Sequence, residues 1–446
     1  MSGFLNRIPL LFLSLLLAAT GCGGSDEPAA QVTAMMVHHF NNPSEGNERE
    51  GGEGRIEVRF WHAMGGPLGE VLNELIDEFN AQHPQWHIKG ESMGSYEALK
   101  QKLLASIIAR NQPDMAQAYE AWISTLLGGE ALVDLGQLDP EFSRELEDFY
   151  PVFIEDSIYS GKLYSLPFNK SVPVIYYNRD MFRRAGLDPD RPPRTWEEFV
   201  EVSRRLTRDL DGDGKPDQWG HKFTDHATYF ECLLVQNGGS ILDESGERLN
   251  FNSDKGVEAL QFLVDMVHRY EAADFYLGGY QHQVDFAAQN VGMIVASCVS
   301  RTFMAKQLNF DWGMAPLLEK VRPASLVYGT NTVIFAQSSP EKQKVCWEFI
   351  KWFTSPEITA RWAIRTNYVP VRRSALNLPI LQEAIKKKPS TAVPILALED
   401  GFFEPRMAMY LRVREYLGDA VKEALLEKLK PREALDKAVR KSELWL

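Results

Sequence analysis

Residues 209–220, DLDGDGKPDQWG, carry a metal-ligand spacing. Asp209, Asp211 and Asp213 alternate, Gly214 falls at the sixth position and Asp217 at the ninth, which is the first half of a calcium-binding loop. Position twelve is Gly220, where such a loop places a bidentate glutamate, so the string also reads as successive Asx turns with solvated carboxylates. In either case its role is structural. Arg406 directly precedes a segment, 407–429, patterned as a long helix. A cation at a helix start is disfavoured by the dipole, which points to a specific contact, and a guanidinium fork suits a phosphate. No H-E-x-x-H, phosphate-binding loop or dinucleotide fingerprint is present. Carboxylates abound, so composition leaves a secreted glycoside or phosphodiester hydrolase open as the alternative class.

The elements that would position these groups begin after an N-terminal targeting segment. Arg7 supplies a positive start, Ile8 to Leu17 an apolar run, and Ala18-Ala19-Thr20-Gly21 small residues ahead of Cys22. This reads as a lipoprotein signal peptide over residues 1–22, with Cys22 the lipidated residue; an ordinary signal peptide with an incidental cysteine is the other reading. The apolar run is too short for a lasting membrane span. Residues 23–54, rich in Gly, Ser, Pro, Glu and Asn, read as a disordered linker, and His38-His39 within it as bland. The net charge of −13 argues against a nucleic-acid surface and leaves room for an anionic small ligand. Cys232, Cys298 and Cys346 offer no metal motif and read as buried free thiols.

From Arg55 the chain alternates strand and helix. Ile56, Val58 and Phe60 alternate with charges as a strand, and Pro67 opens a helix with Leu68, Val71, Leu72, Leu75, Ile76 and Phe79 on one stripe. A second helix carries Leu99, Leu103, Leu104, Ile107 and Ile108 at similar spacing, and Pro113 to Glu120 reads as a short strand. An extended run from Val172 to Tyr177 leads to a one-turn helix stopped at Gly186, then to a helix opened by a capping box of Thr195 and Glu198. Helices are predicted near 226–236 and over 253–270, and strands over 291–297 and 327–336. From Pro340 the pattern is nearly all helical: 340–353, 356–364, 407–429 and 431–444. This rhythm implies an α/β fold of two lobes with largely parallel sheets and a helical C-terminal extension.

Several stretches together carry a resemblance: FWHAMGGPLGEVLNELIDEFNAQHP (60–84), GSYEALKQKLLA (94–105), AYEAW (118–122), PFNKSVPVIYYNRDMFRRAGLDPDRPPRTWEEF (167–199), TNYVPV (366–371) and PREALDKAVRK (431–441). In this order the chain resembles the family-1 extracellular solute-binding proteins of ABC importers, and within them the glycerol-phosphate binders. The resemblance implies a type II periplasmic-binding-protein-like fold, with residues 55–168 plus 326–348 as the N-terminal lobe and 169–325 plus 349–446 as the C-terminal lobe. It implies a lipid-anchored binder, not an enzyme, that delivers a phosphorylated polyol (glycerol 3-phosphate or a glycerophosphodiester) or a sugar to permease subunits by closing its cleft. A neutral oligosaccharide is the alternative ligand.

The resemblance also implies ligand contacts. Tyr96 and Glu120 fall on positions that meet the glycerol part, and a carboxylate accepting two hydroxyl hydrogen bonds suits a diol. Packing at a helix start is the other reading of Tyr96, and a dipole-favoured carboxylate that of Glu120. Ser171, Ser297 and Gly329 match ligand-contacting positions, and Tyr368 and Arg406 match the phosphate holders. Lys170 departs from the pattern and reads as a solvated hinge charge, with an inward cation as the alternative. The interval 223–238 lacks the family's tryptophans, leaving His226 or Tyr229 to fill that wall.

Overall fold

The crossing between the two halves occupies a single residue. In the computed structural model, which describes residues 55–407 and 409–445, the strand Leu166–Ser171 ends in one sheet and the strand Pro173–Asn178 begins in the other, with Val172 between. Every residue of both strands is buried, as expected of strands covered on both faces. The predicted Cys22 anchor and the 23–54 linker lie outside the described residues. No helix among the described residues is long and apolar enough to cross a membrane.

The first sheet orders Trp86–Ser92, Ile56–His62, Met115–Ala118, Tyr328–Ile334 and Leu166–Ser171. Its first three strands run parallel, linked by the helices Gly66–Gln82 and Tyr96–Ala109. The last two run antiparallel to their neighbours. The second sheet orders Trp312–Ala315, Pro173–Asn178, Val291–Ser297, Trp219–Thr224 and Ala273–Tyr276, again with two parallel and two antiparallel pairings. Two α/β lobes are therefore present, and the sheets are mixed where a largely parallel order was expected. The antiparallel pairs come from the chain passing between lobes, which brings strands back against the βαβ direction.

The C-terminal helices divide between the lobes. Pro340–Phe353 and Pro356–Thr366 pack on the first sheet: Phe349 meets Phe60 at 5.9 Å and Phe79 at 5.2 Å between ring centroids, and Arg361 forks onto Glu78 at 2.9 and 2.5 Å. Residues 349–366 thus belong with the first lobe, not with the second as expected, because their apolar stripe fits the face that Phe60 and Phe79 leave open. Tyr410–Leu425 and Pro431–Glu443 pack instead with the helices Ala227–Gln236 and Asp254–His268 of the second lobe.

Local rules account for the boundaries. Thr195 Oγ1 accepts from the Glu198 amide at 3.2 Å and opens the helix Trp196–Leu206, but the Glu198 carboxylate accepts from the Arg194 amide at 2.8 Å, so the expected capping box closes one residue early. Gly186 stops the Arg179–Arg184 helix at φ +68. Cys232, Cys298 and Cys346 are free and buried, and burial pushes the first two thiols up to about 12 and about 11.

Lys170 is not solvated. Its Nζ lies 2.6 Å from Asp156 Oδ2, both side chains are 3% exposed, and Asn331 Nδ2 donates to the same oxygen at 2.9 Å. A strand buried on both faces offers this ammonium no route to water, so it needs a carboxylate inside.

Three histidines are buried neutral. Burial lowers His62 and His282 to about 4 and His221 to about 3, from an ordinary 6.5. The unfolded chain binds more protons than the folded one between those values, so this stability is complete above pH 6.5 and is lost as pH falls toward 4. Urea midpoints should therefore drop across that window, each histidine contributing at most about 1.4 kcal/mol per pH unit. Single His62→Gln and His221→Gln variants should show a shallower drop than the parent.

Candidate ligand-binding site

A cavity of about 380 Å³ lies where the two sheets meet. Its floor is built around Asn169, in the crossing strand. The Asn169 amide donates to the hydroxyls of Tyr96 at 2.8 Å and Tyr368 at 2.9 Å. The side-chain Oδ1 of Asn169 accepts from the Thr330 amide at 2.9 Å and its hydroxyl at 2.5 Å. Gln117 Nε2 then donates to Thr330 Oγ1 at 2.9 Å and Gln117 Oε1 accepts from the Ala63 amide at 2.6 Å. This buried relay ties five other segments to Asn169, and each member is satisfied, which is what makes a buried polar network rigid.

Each wall has a local cause. Ser95 Oγ caps the Tyr96–Ala109 helix by accepting from the Ala98 amide at 3.2 Å, which sets Tyr96 at the first turn. Tyr368 stacks on Trp362, with ring centroids 5.7 Å apart and planes at 4°. Tyr96 meets Tyr119 edge-on at 5.1 Å. Gly329 has φ +121, and a Cβ there would lie 2.0 Å from the Asn169 carbonyl oxygen, so only glycine lets the two crossing strands approach. Burial raises the phenols of Tyr96 and Tyr368 and keeps them as neutral hydroxyls.

Five of the residues named from sequence line this cavity together: Tyr96, Ser171, Ser297, Gly329 and Tyr368. Asn169 was missed, although a polar amide in an otherwise closed strand was a legible signal. Glu120 is buried but stands outside the lining, at the start of the Glu120–Gly128 helix. Burial first, then the Asp156 charge, push its carboxyl well above the usual range. Arg406 also stands outside. Its guanidinium donates to the carbonyls of Glu155, at 2.5 Å, and Ile158, and lies over the rings of Tyr159 and Phe403. The following helix opens at Tyr410, not at 407, so Arg406 is not at its positive end; it caps the carbonyls of the helix Pro151–Ser157 instead.

His226 and Tyr229 line a recess beside the cavity. In the acidic loop, carboxylate oxygens of Asp209, Asp211 and Asp217 come within 4.8 Å of one another, and Asp213 stays out of the group. Asp209 already accepts from the amides of Gly214 at 2.8 Å and Gly212 at 2.6 Å, which hold its carboxyl below the ordinary value. The donor set fits calcium in type but lacks the twelfth-position carboxylate.

The expectation that the chain holds no G-x-S-x-G is wrong: Gly90, Ser92 and Gly94 have that spacing of a hydrolase nucleophile turn. Ser92 Oγ donates to the Met64 carbonyl at 3.1 Å and accepts from the Gly94 amide at 3.3 Å. Both partners of the hydroxyl are backbone groups, so it closes a turn there.

Two sheets joined by crossing strands, with a cavity of aromatic and amide groups at the junction, define a two-lobe solute-binding protein. The chain belongs to the bacterial extracellular solute-binding proteins, whose family model matches residues 74–392. It is a transport-associated binder, not an enzyme. It is similar to the sn-glycerol-3-phosphate-binding periplasmic protein UgpB of Yersinia enterocolitica, 27% identical over 411 residues that cover 87% of this chain and 92% of the relative. Among solved structures, UgpB from Mycobacterium tuberculosis in complex with glycerophosphocholine superposes with a TM-score of 0.76 at 23% identity, covering 88% and 98% of the two chains. The cyclic alpha-maltosyl-1,6-maltose binding protein from Arthrobacter globiformis does so with 0.76 at 24%, covering 87% and 98%.

Proposed function

We propose that this protein captures a hydroxyl-rich solute outside the cytoplasm and presents it to an ABC permease, with Cys22 as lipid anchor and closure of the two lobes as the signal. The observation that carries the reading is the chemistry of the cavity wall. Tyrosines (96, 119, 280, 328 and 368) supply flat apolar faces with hydroxyl rims, Asn169, Gln283 and the serines supply amide and hydroxyl groups, and no aspartate, glutamate, lysine or arginine is among the lining residues. Such a wall suits the ring faces and hydroxyls of a sugar or polyol, and asks for no ionic partner.

A second reading, a phosphorylated polyol, is favoured by the names of the relatives, one of which binds sn-glycerol 3-phosphate. Titration calorimetry separates the two. Maltose is expected to give a one-to-one complex at least tenfold tighter than glycerol 3-phosphate or glycerophosphocholine. The reverse order would install the phosphate reading, and no heat from all three would sink both.

Calcium in the 209–217 loop is proposed only as a structural ion. Adding calcium chloride should raise the melting temperature of the parent and leave Asp209→Asn unmoved; equal curves with and without calcium would dismiss it.

A further inference from the structure

Every fully buried cation among the described residues has a carboxylate beside it. Lys170 meets Asp156, Lys222 meets Asp285 at 2.8 Å, and Arg372 meets Glu145 at 2.7 Å. Arg301 and Lys388 depart from that rule, and they do so together. Both are half-buried, yet neither forms an ion pair among the described residues, although the chain holds 61 acidic residues against 48 basic ones.

The two cations converge on one short turn. Arg301 lies in the helix Ser300–Met304, and its Nη1 donates to Thr391 Oγ1 at 3.5 Å. Thr391 ends the turn Pro389–Thr391, and its amide donates to the Lys388 carbonyl at 2.9 Å. Lys388 Nζ lies over the Trp312 ring, 4.4 Å from its centroid, a contact that leaves the charge itself uncancelled. Burial first, then the Arg301 charge, lower Lys388 from 10.5 to about 8, and burial lowers Arg301 as well. Two like charges kept partly from water without a counter-charge are unfavourable, and an anion between them removes that cost. The donors are a guanidinium fork, an ammonium and a threonine hydroxyl, a set that matches several oxygens of one oxyanion.

The place is the seam between the lobes, outside the solute cavity. Trp312 stands in the second sheet, whereas the helix Pro379–Lys387, which ends at Lys388, packs on Pro356–Thr366 of the first lobe. Beside Arg301, Thr302 Oγ1 donates to the Thr366 carbonyl at 2.7 Å and accepts from Asn367 Nδ2 at 2.8 Å, one residue before Tyr368. Arg301, Lys388, Trp312 and Thr391 line neither the cavity nor the recess beside it.

We propose that Arg301, Lys388 and Thr391 form a binding site for a small oxyanion dianion, of the phosphate or sulfate class, which bridges the two lobes. The site is separate from the solute cavity, and the inference does not depend on which solute that cavity takes.

Melting curves of the intact protein in chloride buffer, with sodium phosphate or sodium acetate added at matched ionic strength, test it. About 10 mM phosphate is expected to raise the melting temperature by at least about 1 °C, and acetate, with a single charge, by less. Lys388→Gln and, separately, Arg301→Gln should each remove most of the phosphate response. In chloride alone each should melt no lower than the parent, since each relieves a like-charge repulsion. Calorimetric titration with phosphate should show one site per chain in the parent and no heat in either variant. Equal parent curves in phosphate and in chloride would overturn the site, and so would a phosphate response kept by either variant, which would put the anion elsewhere. Variants that melt clearly below the parent in chloride would make the pair a structural element and not a site. Acetate acting as strongly as phosphate would overturn the assignment to a dianion.

Discussion

Asp156→Ala should lower the stability of this protein by roughly 3–5 kcal/mol, because it strands the Lys170 ammonium in a site closed to water. The two side chains are each 3% exposed and 2.6 Å apart, and Asn331 also depends on Asp156. Urea denaturation read by tryptophan fluorescence measures the loss. The double variant Asp156→Leu with Lys170→Met should recover a large part of it, since an apolar pair of similar volume avoids the desolvation penalty. A double variant no more stable than Asp156→Ala would show that the pair is not what holds this junction. Asp156, Lys170 and Asn331 all stand outside the cavity lining, so an effect on ligand affinity is expected to be smaller than that on stability.

Gly329→Ala is the second large effect. Its Cβ would meet the Asn169 carbonyl at 2.0 Å on a backbone with φ +121. Strain of about 1–3 kcal/mol and overpacking of about 1–3 kcal/mol add to a loss of roughly 2–6 kcal/mol. Because Asn169 carries the relay to Tyr96 and Tyr368, ligand binding should fall at least tenfold as well. Gly94→Ala is the control: φ is +80, but no atom lies within 4 Å of the added methyl, so only the smaller backbone term applies. Similar melting shifts for the two substitutions would mean that the close strand approach is not the reason for glycine at 329.

These two sites also mark where sequence reasoning reached and where it stopped. Boundaries governed by local chemistry were legible: the Thr195 cap, the Gly186 stop and the Pro340 helix start all stand where residue type places them. Positions carried by motif, such as Gly329 in VYGTNTV and Tyr368 in TNYVPV, meet in space although 39 residues separate them in the chain. Lys170 was misread because a lone charge in a strand ordinarily faces water, and its partner sits on another element 14 residues away. Arg406 was misread for a different reason. The apolar periodicity of the 410–425 helix continues backward into 407, so the helix start was placed too early and the arginine was given a dipole it does not meet. The division of the C-terminal helices between lobes depends on which sheet face remains uncovered, and no local pattern encodes that.

The neutral cavity wall is the point on which the ligand class turns. A sequence contains its arginines and glutamates without saying which of them face the solute; here Arg406 is bonded to backbone carbonyls and Glu120 is buried outside the lining. The wall that remains is tyrosine, amide and hydroxyl.

A crystal structure grown with the tightest-binding solute of the calorimetric panel would show where the solute sits and whether it is intact. An unmodified solute is expected between the two sheets, hydrogen-bonded to Asn169, Tyr96 or Tyr368 and enclosed by Gly329 and Tyr328. Solute density in the outer groove beside Trp196 and Phe262, or a cleaved product in the cavity, would contradict it.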